Sequence, residues 1–279
     1  KNGLNPRSPA DRRLEAMRVR SRFIKRVKEI VEEYDPELPV YFNRPWPLSA
    51  HPEATLRRDL SQYGYMVIES LPSGHWGYNH LPLLGHHFMH KGIPVVSHTG
   101  RFHRSWGDFG GLKNRAALEY ECLRMAARGV RCGVGDQLHP RGRLDPTTYK
   151  LIGSVYRQIE VLEPWLVETE PVADIGIAIA AGTGPEGVLE TDQSSEEGAM
   201  RMLMELGHQF LFVDEWDDLS RFRLLILPDH VYLSDGLADK LQEFLAGRGK
   251  IVASYASGRT LKSDICPLRE WPAQWLGES

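Results

Sequence analysis

The chain has 279 residues, enough for one large domain or two ordinary ones. With 42% hydrophobic and 25% charged residues it has a globular composition, and its net charge of −3 gives no electrostatic ground for binding nucleic acid or an anionic membrane. No apolar run is long enough to span a bilayer. Cys122, Cys132 and Cys266 are too scattered for a disulfide framework or a zinc site. That cysteine usage, with no signal peptide visible, favours a cytoplasmic setting.

Ser8-Pro9-Ala10-Asp11 reads as a helix start, with a hydroxyl cap, proline in the first turn and an acid three residues after the cap. The helix runs to about Tyr34, and Asp35-Pro36 ends it. A short strand is expected at Val40-Tyr41-Phe42, ending in Asn43-Arg44, followed by a short helix from Glu53 to Ser61. The next strand, Met66-Val67-Ile68, delivers Glu69 where the apolar run stops. Pro72-Ser73-Gly74 then breaks regular structure, and His75, Trp76 and Tyr78 put three polar-tipped rings on the same loop. A carboxylate beside flat amphipathic rings suits a sugar, and such rings also raise a carboxyl pKa as a general acid requires. The competing reading is a buried loop in which Trp76 is core and Glu69 caps the following helix.

A helix over Leu81–Lys91 precedes the strand Pro94–Ser97, which ends in His98-Thr99-Gly100-Arg101. The loop Phe102–Gly111 carries Trp106 and Asp108 between glycines and can fold over a site. A helix from Lys113 to Arg128 leads to the strand Val130–Val134, ending in Gly135-Asp136-Gln137, and Asp145-Pro146 opens another helix to about Leu162. Asp136 is the second carboxylate of interest. Its bland alternative is a loop aspartate bonded to nearby amides. His86 and His90 stand one helical turn apart, but no zincin glutamate lies between them and no third ligand stands out, so they read as packing or surface residues. No metal or cofactor is expected.

The strand ends therefore carry Asn43 and Arg44, then Glu69, then His98 and Arg101, then Asp136 and Gln137. Short apolar strands fit coverage on both faces, and chemistry at one set of strand ends is the habit of a (β/α) barrel. Four such units make half of an eight-unit barrel. An open doubly wound sheet is the alternative.

Beyond a linker at Glu163–Pro171 a second βα series begins. It has strands at Asp174–Ile179, Gln209–Val213, Leu224–Leu227 and Lys250–Ala253. Its helices are Ser194–Leu206, opened by a capping box of Ser194 with Glu197, and one capped by Ser234 that runs to Ala246. This is the pattern of a flavodoxin-like, glutamine-amidotransferase-like three-layer α/β domain, cut short at Ser279. Gly182–Gly187 matches G-x-G-x-x-G, but the helix that should receive its last glycine begins only near Ser194, which weakens a dinucleotide reading. The expected division is 1–168 and 169–279.

Glu69 followed by Trp76-Gly77-Tyr78 resembles the W-E-x…S-W-G-Y region of α-L-fucosidase-type glycoside hydrolases. Gly133–Leu144, with Asp145, resembles the last strand and loop of that barrel. The fuller resemblance is to related glycosyl hydrolases in which the barrel is followed by a β-galactosidase trimerisation-type domain, here from about Val172, with Leu224–Pro228 as its most recognisable strand. The resemblance implies a retaining, fucosidase-like or β-galactosidase-like hydrolase with two carboxyl groups about the glycosidic bond. It places Glu69 as the acid/base, although Ile68 replaces the usual tryptophan. No residue matches the nucleophile, which is expected upstream of Lys1. Asn43, His75, Trp76, Tyr78, His98, Arg101, Trp106 and Asp136 would line the sugar site. A homo-oligomer, a trimer by this resemblance, is implied. The alternatives are a non-catalytic carbohydrate-binding protein on the same barrel and a nucleotide-binding protein using Gly182–Gly187.

Overall fold

The computed structural model describes residues 4–43, 60–179, 193–260 and 266–269, apart from the side chains of Ala10, Arg13, Leu14, Met17 and His75. Gly182–Gly187, Arg44 and most of the short helix expected over Glu53–Ser61 lie outside the described residues. The chain is α/β, with two parallel sheets. Two compact units divide it: Ala16–Pro47 with Arg57–Pro171, and Lys1–Glu15 with Leu48–Leu56 and Val172–Ser279.

Helix α1 spans Pro9–Tyr34, and Ser8 Oγ accepts from Asp11 N at 3.3 Å, the cap its sequence announces. The expected strand Val40–Phe42 is not formed. Val40 O instead accepts from Gly64 N at 2.8 Å, and Phe42 packs edge-on to Tyr63, so the segment is held by one backbone bond and its rings rather than by a ladder.

The first sheet has the order β1-β2-β3, all parallel: β1 Met66–Glu69, β2 Val95–Gly100 and β3 Arg131–Gly135. Helices α2 His80–Phe88, α3 Arg115–Ala126 and α4 Pro146–Leu162 follow the strands in turn. Asn114 and Asp145 cap α3 and α4, accepting from Ala117 N and Thr147 N, each at 2.8 Å. Every residue of α2 from Leu81 to Phe88 is buried, so His86 and His87 are packing histidines. Met66 and Ile68 of β1, Leu118, Cys122 and Met125 of α3, and Val155 of α4 are buried apolar residues of this unit. Burial on both faces does not extend to β3, whose residues are exposed or half-buried.

The second sheet has the order β5-β4-β6-β7, again all parallel: β4 Ile175–Ala178, β5 Phe210–Val213, β6 Leu224–Leu227 and β7 Lys250–Ala253. Ile177, Phe212, Leu225 and Leu227 are fully buried in it. Helix α6, Asp235–Ala246, is capped by Ser234, whose Oγ accepts from Leu237 N at 3.1 Å. Helix α5, Ser194–Glu205, departs from expectation: its cap position is Gln193 rather than Ser194. Ser195 Oγ donates to Asp229 Oδ2 at 2.9 Å and so faces the end of β6.

Candidate active site

Parallel pairing fixes the height of the strand ends. The register sets Glu69 beside His98 and Gly100 beside Gly135, so the last residues of β1, β2 and β3 share one edge of the sheet. Beyond β1, Ser70 N donates to His98 O at 2.9 Å and keeps the two chains together for one more residue. The chain then makes a π-turn over Pro72–Trp76. Gly74 is obligatory there, since a Cβ would lie 1.8 Å from Arg104 O.

Around Glu69 the structure gathers three rings. The Trp106 indole nitrogen donates to Glu69 Oε1, which leaves Oε2 to meet a ligand. His98 stands alongside on β2. His80, at the start of α2, places Nδ1 3.2 Å from Ser70 Oγ. Burial lowers the pKa of both His80 and His98, and the nearby Glu69 charge partly offsets it. Both imidazoles are therefore neutral at pH 7. Trp76 stacks on His80 with centroids 5.1 Å apart and an interplanar angle of 19°, and 41% of its surface remains exposed. The resulting surface combines a carboxylate, an open indole face and neutral ring nitrogens, which is suited to a polyhydroxylated ring with one apolar face.

Trp106 reaches Glu69 from the loop between β2 and α3. Its ring sits over Gly135, where a Cβ would approach within 2.4 Å, and edge-on to Phe102, with centroids 4.9 Å apart. Gln137 Nε2 donates to Trp106 O at 2.8 Å. Arg101 and Asp136, both expected to line a sugar site, bind one another, with Nε 2.8 Å from Oδ1. The remaining guanidinium nitrogens donate to Gly111 O and, at 3.0 Å, to Phe109 O.

Tyr78 has a divided environment. Its ring is partly exposed, but its hydroxyl donates to Glu121 Oε1 at 3.3 Å. Glu121 is buried with Lys113, and Thr99 bonds to both. This cluster was not foreseen. Its one sequence signal is a glutamate inside the buried stripe Leu118, Cys122, Met125 of α3. Asn43 is exposed at the end of the segment that forms no strand. The His75 side chain lies outside the described residues. Among the described residues no three His, Cys, Asp or Glu side chains could hold a metal ion, and no helix is long and apolar enough to cross a membrane.

A parallel α/β fold with a ring-flanked carboxylate at a strand end defines a carbohydrate-site candidate, and the comparisons carry the classification further. Residues 199–277 match the β-galactosidase trimerisation domain. An α-L-fucosidase isoenzyme 2 from Paenibacillus thiaminolyticus is 35% identical with TM-score 0.83, covering 94% of this chain and 39% of that one. A β-galactosidase from Bacillus circulans sp. alkalophilus gives 0.69 at 14% identity, covering 95% of this chain and 42% of the other. One from the Antarctic haloarchaeon Halorubrum lacusprofundi gives 0.68 at 14%, covering 97% and 46%. At such identities the last two show a shared fold. No curated protein matches the chain. The chain is thus similar to an α-L-fucosidase over 94% of its own length and matches the trimerisation-domain family over residues 199–277, while spanning less than half the length of each of these solved structures.

Proposed function

We propose that this chain forms part of a glycoside hydrolase in which Glu69 is one of the two carboxyl groups acting on the glycosidic bond. The observation that carries this is Glu69 itself, a carboxylate at the end of a parallel strand with one oxygen held by an indole and the His80 and His98 imidazoles nearby. On this reading β1–β3 are strands of a (β/α)8 barrel and their polar ends face its catalytic mouth. The second unit is a flavodoxin-like domain that assembles the protein as a homo-oligomer. Trp76, His98 and the open face of Tyr78 contact the sugar, either an α-L-fucoside or a β-galactoside. The reaction retains configuration, and the resemblance assigns Glu69 the acid/base role.

The test is hydrolysis of aryl α-L-fucosides and β-D-galactosides by a chain carrying the whole barrel, with Glu69→Gln beside it. Loss of roughly 10²–10⁴-fold in turnover is expected. Azide then separates the roles. With an activated leaving group, an acid/base variant gives a glycosyl azide of retained configuration, whereas a nucleophile variant gives the inverted one. An unchanged rate in Glu69→Gln removes Glu69 from the chemistry.

Carbohydrate binding without hydrolysis is the second reading. One observation favours it: Asp136, the carboxylate at the end of β3, is already held by Arg101. Saturable sugar binding with no turnover would select it.

A further inference from the structure

We propose that Arg101, tied to the end of β3 through Asp136, is a positioning residue that holds the Trp106 indole against Glu69, and that Arg101 is not a sugar ligand. The proposal rests on the reading of Glu69 as a catalytic carboxyl. The loop leaves β2 at Arg101 and rejoins the fold at Lys113, where Lys113 N donates to Arg101 O at 2.6 Å and closes its base. Inside that closed loop Arg101 works as a bracket. Its side chain is only 10% exposed, and all three guanidinium nitrogens point at protein acceptors: Asp136 Oδ1 on one side, the carbonyls of Phe109 and Gly111 on the other. The planar fork thereby ties the returning limb of the loop to the end of β3. Asp136 is fixed in turn, since the same Oδ1 accepts from Gln137 N at 2.7 Å.

Trp106 lies between these anchored points. Its carbonyl is held by Gln137, the residue after Asp136, and its ring rests on Gly135, the residue before it. The indole thus takes its place from the 135–137 segment, and Arg101 binds that segment to the loop. With every guanidinium nitrogen engaged and the side chain only 10% exposed, the effect of Arg101 on a substrate passes through Trp106. Lysine cannot substitute, because the three donors of an ammonium radiate from one nitrogen and cannot reach acceptors spread over the three nitrogens of the fork.

A double-mutant cycle tests this with Arg101→Lys, Trp106→Phe and their combination, and with Asp136→Asn as the milder second variant. Arg101→Lys and Asp136→Asn are each expected to lower kcat about tenfold with KM changed less than about twofold, and to cost less than about twofold once Trp106 is Phe. Hydrogen exchange at the amides of 102–112 should accelerate in both variants, and the part of the acrylamide quenching that Trp106→Phe abolishes should increase. Equal losses with and without Trp106 would overturn the proposal, as would a raised KM at constant kcat or unchanged loop exchange. If the wild type hydrolyses no glycoside, the catalytic reading of Glu69 falls, and exchange and quenching still decide whether Arg101 positions Trp106.

Discussion

Lys113 Nζ lies 2.6 Å from Glu121 Oε2, and the two side chains are 1% and 2% exposed. Thr99 and the Tyr78 hydroxyl also bond to Glu121, so one buried carboxylate joins the end of β2, the start of α3 and the loop that follows β1. Removing one member of such a pair strands the other charge in a medium that cannot solvate it. Glu121→Gln is therefore expected to destabilise the protein by about 3–5 kcal/mol. The pair replacement Lys113→Met with Glu121→Leu, which leaves no orphan charge, should cost clearly less. Urea unfolding of the single and double variants checks this, and an equal loss in both would show that the pair is not the source of the stability.

Trp106→Phe keeps an aromatic ring over Gly135 and deletes only the N–H donated to Glu69. A hydrogen bond to a charged group contributes about 1.5–3 kcal/mol, so kcat/KM on an aryl glycoside should fall roughly 10–100-fold. The bond is present in the unliganded fold as well, so the melting temperature should also fall, by about 3–12 °C. A fall in melting temperature at full activity would contradict the role given to the indole.

Gly135→Ala approaches the same contact from beneath. The added methyl would sit 2.4 Å from Trp106 Cη2, and the partly exposed ring is the side that can yield. The expected result is a turnover defect comparable to that of Trp106→Phe, and little further loss when the two changes are combined. Additive losses would mean that Gly135 acts elsewhere.

His86 makes a pH prediction. Burial, reinforced by Arg128, Arg124 and His90, pushes its imidazole down to about 3 from the usual 6.5. Below pH 6.5 the unfolded chain takes up this proton and the folded chain does not, so stability falls as pH drops from 6.5 toward 3 and levels off outside that window. The lowered values of His80 and His98 act in the same direction. Between pH 7 and pH 5, His86 alone should account for about 2 kcal/mol of lost stability. His86→Leu should show a correspondingly shallower dependence in urea titrations at the two pH values, and a parallel slope would rule the residue out.

Much of the framework could be read from local signals. Asp145 and Ser234 cap helices because short polar side chains compete for free amide groups, a property carried by the residue and its immediate neighbours, whereas the helix expected from Lys113 begins only after Asn114. Glu69 was visible as the acid that ends an apolar run. The pairing of Arg101 with Asp136 was not, because the residues are 35 apart and meet only once β2 and β3 are in register. A strand at Val40–Phe42 looked equally plausible from its β-branched and aromatic residues, but a strand also needs a ladder partner, and that is a tertiary fact. Likewise, the Tyr78 hydroxyl could be assigned to Glu121 only after α3 was packed against the sheet.

The backbone bond from Lys113 to Arg101 also bears on how this site can change over time. Because the excursion from β2 begins and finishes at one point, its interior away from Trp106, Phe109 and Gly111 can be lengthened or exchanged without moving β2 or α3, and doubling its length adds only about 0.6 kcal/mol of closure entropy. If Glu69 acts as proposed, variation at those positions can alter what lies beside it while the strand bearing Glu69 keeps its place.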